Sequence, residues 1–248
     1  MQSSSLNIGD VFITNEGYNA IVIDYKDRKN ILIEFDDAYK YQMYVQAVHL
    51  RRGGVRNPYH PNVCGVGYTG VGPFKTKANG EHTLVYKKWH SMIHRCYDQK
   101  YIARSPTYEG CTVHKNWHNF QNFAEWYTNQ KYYELDYQID KDWLIEGNKI
   151  YSADTCVLSP RELNSLVRGH KREDSSVPIG VSYNKREERF KAYIRIDGHL
   201  KYLGSYNNAD EASEVYQRHK KQQIKQKALE WRDKIDNRLY EALMLKAI

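Results

Sequence analysis

Four side chains at alternate positions of one short segment, Arg189, Lys191, Tyr193 and Arg195, have the chemistry to engage a polyanion. An arginine fork bridges guanine edges or phosphates, a lysine neutralises phosphate, and a tyrosine adds an apolar body with a polar tip. The intervening Phe190, Ala192, Ile194 and Ile196 are apolar, so the segment reads as a strand with one face for a core and one cationic face. The pair His114-x-x-x-His118 has helical spacing but no third ligand nearby, and reads as two surface or packing histidines. Cys64, Cys96, Cys111 and Cys156 are widely spaced with no C-x-x-C pair, which argues against structural zinc and against a secreted disulfide framework.

The elements that must carry the cationic face are legible around it. Strands are predicted at 179–184, 189–196 and 199–206, with Asp197-Gly198 as a two-residue hairpin turn between the last two. Asn208, followed three residues later by Glu211, forms a capping box that starts a helix. Ala212 and Val215 of that helix are expected to cover the apolar side of the sheet, leaving the other side for ligand. The candidate nucleic-acid-binding residues are Ser182, Asn184, Lys185, Arg189, Lys191, Tyr193, Arg195 and Tyr202. Further along, Arg218, Lys220, Lys221, Lys225 and Lys227 occur with no acid between Val215 and Ala228, which makes a cationic helix: either a set of extra phosphate contacts or a solvated face.

Charge supports the same end of the chain. The net charge is +7 over 248 residues and the pI is about 9.0, a balance that favours polyanionic partners. Residues 1–74 hold 7 basic and 7 acidic side chains, residues 75–170 hold 13 and 11, and residues 171–248 hold 17 and 12, so the excess sits C-terminally. Hydrophobic residues at 41% predict a folded chain. No segment approaches the roughly 18 apolar residues of a membrane span, and Met1 to Ser5 do not begin a signal peptide, so a cytoplasmic protein in a reducing compartment with no membrane partner is expected.

Upstream, residues 6–52 alternate short apolar runs with turns, the pattern of a β meander or small barrel. Residues 53–80 are rich in glycine and proline and read as a linker or irregular loop. Trp89, Met92, Ile93 and Cys96 form one helical stripe, and a second helix is predicted at 119–130 with Phe120, Phe123, Ala124 and Tyr127 on one face. Ser159-Pro160-Arg161-Glu162 reads as a helix start with Ser159 as cap and Glu162 completing a capping box. A second, polar linker is expected at 169–178.

The segments Gly180-Val181-Ser182, 190–195, 202–206 and Asp210-Glu211-Ala212 resemble the plant ethylene-response-factor type of DNA-binding domain, which also occurs fused to phage homing endonucleases. The resemblance implies a three-stranded sheet lying in the major groove and packed on one helix. The family's arginine after Gly-Val is Ser182 here, its second-strand glutamate and arginine fall on Tyr193 and Arg195, and its third-strand tryptophan falls on Tyr202.

Residues 89–166 resemble the HNH-type endonuclease domain of phages, through Trp89-x-x-Met92-x-x-Arg95-Cys96-Tyr97, Tyr108-x-Gly110-Cys111-x-Val113, Trp117, Ile139-Asp140-Lys141-Asp142, Gly147-Asn148, Cys156 and Glu162-x-Asn164. That resemblance implies a catalytic centre at Asp140, Lys141 and Asn164, with Asp140 and Asn164 holding Mg2+ or another divalent metal that stabilises charge in phosphoryl transfer. The family's general base is a histidine, and Lys141 stands in its place. An ordinary lysine, with a pKa of about 10.4, is protonated at neutral pH and is a poor base. Two readings stay open: a degenerate centre that needs no cofactor in a protein that only binds DNA, or an active nuclease with another base, Asp142 being the candidate.

The expected fold is α+β and multidomain: a small β-barrel-like unit with its linker at 1–74, a ββα-metal (HNH-like) domain at 75–170, and a three-stranded sheet plus helix with a helical extension at 171–248. The expected partner is double-stranded DNA, in the cytoplasm of a bacterial host to a phage that encodes the protein. Alternatives are an inactive DNA-binding regulator or accessory factor, and an interaction module that docks a host or phage protein through residues 1–74.

Overall fold

The computed structural model describes residues 6–167 and 176–248. The reading of Met1 to Ser5 and that of the linker over 169–175 lie outside the described residues. Among the described residues the architecture is mixed α+β, with 37% helix and 26% strand in several separate sheets. The chain divides into two compact units, Met1–Glu109 with Val113–Glu125, and Gly110–Thr112 with Trp126–Ile248.

In the first unit, β1 (Val11–Ile13), β2 (Asn19–Asp27), β3 (Asn30–Phe35) and β4 (Gln42–Val45) form an antiparallel meander in the order β1-β2-β3-β4, followed by the short helix α1 (Ala47–Arg51). Period-two alternation sends Ala20 and Val22 of β2 and Ile31, Ile33 and Phe35 of β3 to one face, where Leu50 of α1 and Val55 complete the core. Each of these large side chains contributes about 1.5–3 kcal/mol by leaving water. Of the meander or small barrel that the strand spacing predicts, the sheet is the meander and not the barrel: it is open, with β1 and β4 as its edges. Closure needs strands long enough to tilt and stagger around an axis, and β1 has 3 residues and β4 has 4.

After the glycine-rich segment come the minimal hairpin β5 (Lys77–Ala78) and β6 (Glu81–His82), then α2 (Leu84–Tyr97), α3 (Gln99–Arg104), β7 (Thr112–Val113) and α4 (Phe120–Thr128). Thr83 caps α2 by accepting from the Tyr86 N–H, and Trp89, Met92, Ile93 and Cys96 are its buried residues, the stripe read from the sequence. The Trp89 indole donates to the Trp117 carbonyl at 2.7 Å, which satisfies its polar atom inside the core. His118 sits against the Val113 carbonyl at 3.1 Å and the Tyr97 hydroxyl at 3.4 Å and is a packing residue, while His114 is exposed and accepts from the Asn116 N–H as a turn cap.

The second unit holds β8 (Gln138–Asp140), β9 (Ile150–Tyr151), β10 (Val157–Ser159), α5 (Arg161–Val167), β11 (Val181–Asn184), β12 (Arg189–Ile196), β13 (His199–Tyr206), α6 (Ala209–Trp231) and α7 (Asn237–Lys246). β8 pairs with β10 in antiparallel register, Ser159 opposite Gln138 and Val157 opposite Asp140, and α5 follows directly. The expected capping role of Glu162 is replaced: its carboxylate takes the Lys227 ammonium at 3.0 Å, and the Ser159 hydroxyl donates to the Pro160 carbonyl. The two C-terminal helices complete the core of this strand–strand–helix segment, since Ile224, Ala228, Ile235, Leu239 and Leu243 pack with Trp143, Val157 and Leu163.

Candidate nucleic-acid interface

Strands β11, β12 and β13 form a meander in that order. The turn between β12 and β13 is Asp197-Gly198, with φ of 47° and 85°, the left-handed pair that suits strand twist. Val181 and Ala192 are buried against Ala212 of α6, with Phe190, Leu203 and Tyr206 packed around them. Asn208 caps α6 by accepting from the Glu211 N–H at 2.8 Å. Tyr216, not the predicted Val215, is the second buried residue of the helix. Its ring lies where a Cβ on Gly180 would come within 2.2 Å, and Gly180 also has φ +80°, so only glycine fits there.

One irregularity decides what the other face displays. Ala192 pairs with Gly204 but Tyr193 pairs with Tyr202, so Leu203 is an extra residue in β13. This bulge resets the alternation of β13. Ser205 lies opposite Lys191, and after the bulge Tyr202 lies opposite Tyr193 and Leu200 opposite Arg195. The Tyr193 and Tyr202 rings stand 5.5 Å apart between centroids. Ser182 faces Lys191 from β11. Ser182, Lys191, Tyr193, Tyr202 and Arg195 therefore share one face, and Leu200, exposed at 62%, belongs with them although sequence reasoning passed it over.

The remaining predicted residues serve the sheet itself. Asn184 accepts from the backbone N–H groups of Arg186 and Glu187 and so builds the β11–β12 turn, on which Lys185 is exposed. Arg189 donates to the Asn207 side chain and to the Ser205 carbonyl. Arg195 donates to the Gly198 carbonyl at 2.8 Å, which holds its guanidinium at the hairpin end, and its own carbonyl accepts from Gln223 at 2.9 Å. Lys191 is paired with Glu187 at 2.8 Å, and that hydrogen bond holds its pKa above the ordinary lysine value. It stays cationic at neutral pH, with a carboxylate already on it.

The cationic helix is largely spent within the protein. Lys227 binds Glu162, Asp197 and Glu230, and those bonds raise its pKa. This hub ties the hairpin turn to α5. Lys221 donates to the Ile248 carbonyl, and Lys220 bonds Gln223 while burial lowers its pKa. Lys220 and Lys227 therefore have their ammonium groups turned to partners within the chain, whereas Lys221 is exposed. An α-helix turns cations to both faces when they fall at consecutive positions, and here one face is the interior.

The residues to which the HNH resemblance points, Asp140, Lys141 and Asn164, are bonded within the chain. The Asn164 side chain is buried, its oxygen accepting from the Trp143 indole at 2.7 Å and its NH2 donating to Gln138 Oε1 at 2.9 Å. Lys141 is buried too, donating to Asp142 at 2.7 Å and to the Asn148 carbonyl, while Asn148 Nδ2 returns a bond to the Lys141 carbonyl at 2.9 Å. Asp140 Oδ1 accepts from the Asp142 N–H at 2.8 Å. A divalent metal on Asp140 and Asn164 needs the Asn164 oxygen pointing into an open site. That oxygen faces an indole N–H instead, and a fixed ammonium stands beside Asp142. The residues present do not fit the metal, and among the described residues no group of three His, Cys, Asp or Glu side chains is arranged to hold one. Gln138 and Trp143 are the partners that sequence reasoning missed. No spacing rule connects them to Asn164, because strand register and helix packing bring them together.

No family model, curated protein or solved structure matches the chain. Among the described residues no helix is long and apolar enough to cross a membrane.

Proposed function

We propose that this protein binds double-stranded DNA with a sequence preference, through the outer face of the sheet β11–β13, and does not cut DNA at its HNH-like centre. The single observation that carries the reading is the bulge at Leu203, which sets Tyr202 beside Tyr193 and aligns both with Lys191 and Arg195 on a face opposite the α6-covered core. A two- or three-stranded sheet is admitted by the major groove, arginine reads guanine, and a lysine fixes phosphate. In this reading the resemblance to phage HNH homing proteins marks ancestry, and the polar groups at the matching positions serve structural bonds. The role is that of a regulator or accessory factor.

Selection from a randomised duplex library, followed by titration of the selected site and a scrambled one, tests the binding claim. The selected site is expected to bind more tightly, with an affinity that falls steeply with salt. Absent binding, or binding indifferent to salt, overturns it. Incubation with supercoiled plasmid and magnesium or manganese tests the second half. Intact plasmid is expected, and nicking that disappears in Asp140→Ala would establish a nuclease instead.

A further inference from the structure

We infer that the sheet face reads a methyl group as well as a guanine: Leu200 packs on the 5-methyl group of a pyrimidine stacked beside the guanine that Arg195 contacts. This rests on the reading of β11–β13 as a major-groove surface, and it names the DNA that the surface prefers.

The register at the hairpin end carries the inference. Without the extra residue at Leu203, unbroken pairing from Ala192 and Gly204 onwards would set Lys201 opposite Arg195 and Leu200 opposite Ile196. The bulge exchanges them. Leu200 stands opposite Arg195 on the outer face, and Lys201 stands opposite the buried Ile194. The end of the sheet thus presents one guanidinium and one leucine in place of two cations. Two cations would suit phosphate, which carries no sequence information. A cation beside an apolar side chain suits a base edge, where hydrogen-bond acceptors and a methyl group lie together.

The side chains are arranged for this contact. Arg195 donates through Nη1 to the Gly198 carbonyl at 2.8 Å, so its guanidinium lies towards the turn. Leu200 beside it is left 62% exposed rather than covered by the arginine stem. Along its own strand the next residue on this face is Tyr202, also exposed, whose ring pairs with that of Tyr193. Leu200 is therefore bounded by an aromatic ring on one side and by a guanine-reading group on the other. Paired residues on adjacent strands stand about 4.5–5.5 Å apart at Cβ. Nucleotides along one DNA strand repeat every ~3.4 Å. Arg195 and Leu200 accordingly reach neighbouring base pairs. Thymine presents a methyl group in the major groove, and 5-methylcytosine presents the same group at the same place.

The test is titration of the full chain with the duplex selected from a randomised library. The guanine in question is the one whose preference is lost in Arg195→Ala. The pyrimidine of each neighbouring base pair is set in turn to thymine, uracil, cytosine and 5-methylcytosine, with its purine partner matched. Burial of one methyl group is worth about three- to fivefold in affinity. Thymine should bind more tightly than uracil, or 5-methylcytosine more tightly than cytosine, by about that factor at one neighbouring position. A response to the thymine exchange alone assigns the methyl to thymine, and a response to the cytosine exchange alone assigns it to 5-methylcytosine. Leu200→Ala should bring the ratio to about one while the guanine preference persists, and Leu200→Met should keep it. Ratios of one throughout in the wild type, with the selected duplex still preferred over a scrambled one, overturn this inference and leave the sheet reading standing. A ratio that survives in Leu200→Ala gives the methyl to another side chain and overturns it too. Equal binding of selected and scrambled duplexes ends both readings.

Discussion

Replacing Asn164 with aspartate separates the two roles this position could have. In a metal site, a carboxylate would hold a divalent cation better than an amide does. In the observed network, it puts a charge at a position only 6% exposed, against a Trp143 donor that stays and a Gln138 oxygen that must rotate away or be repelled. Burial raises a carboxyl pKa by up to 3–5 units, and one retained donor lowers it again, leaving a rise of about two to three. At about 1.4 kcal/mol per unit, and with about 1 kcal/mol for the lost amide bond, Asn164→Asp costs about 4–5 kcal/mol at pH 8. The sign follows from the direction: a group whose folded pKa is raised is penalised only where it would ionise. Below the unfolded value of about 3.9 the cost shrinks to that of one lost amide bond, about 1 kcal/mol. Between there and the raised folded value it grows with pH, and above that it is constant. Thermal unfolding from pH 4 to 8 should show the variant's Tm deficit widening to roughly 8–20 °C. Magnesium at 10 mM should leave that deficit unchanged. A Tm that rises by several degrees with magnesium, in this variant or the wild type, would mean that Asp140 and residue 164 hold a metal, and would refute that network.

Glu187→Gln should bind DNA roughly two- to fivefold more tightly and with a steeper salt slope, because it releases the Lys191 ammonium; weaker binding in a duplex titration would mean that Glu187 itself accepts from a base. Arg195→Ala should cost about 1–3 kcal/mol on the selected site and relax sequence preference, read by titration of single-base variants; equal losses on every duplex would put Arg195 on phosphate instead. Gly180→Ala should destabilise by about 2 kcal/mol or more in urea denaturation, since it combines a left-handed φ with a clash against Tyr216; an unchanged midpoint would show that the ring can move aside. Lys227→Met should lower Tm by a few degrees and loosen the Asp197-Gly198 turn, seen as faster amide exchange at Arg195 and Ile196.

The C-terminal hairpin was legible from local signals. Strict alternation from Arg189 to Ile196, Asp197-Gly198 and the Asn208 capping box each act over a few residues, and all three are where the sequence puts them. The same holds for the α2 stripe from Trp89 to Cys96. Such features depend on backbone propensity and on the period of apolar residues, which neighbours along the chain determine. What depends on distant partners was not legible. The strand pattern of residues 6–52 predicts a meander, and whether it closes is decided by strand length and stagger.

The cationic face on which the sequence reading centred was determined by the sequence in its residues: Lys191, Tyr193 and Arg195 must alternate with an apolar set, because a strand has period two. Tertiary structure decided its state and its extent. The bulge at Leu203 brings Tyr202 and Leu200 onto that face, Glu187 covers Lys191, and Gly198 holds Arg195. It also decided that the half-buried Lys220 and Lys227 turn to partners within the chain and that Asn164 answers to Trp143 and Gln138 rather than to solvent. The physical reason is the same in each case: a side chain's charge and hydrogen-bonding groups are written in the sequence, but the partner that satisfies them is chosen by packing between segments far apart in the chain.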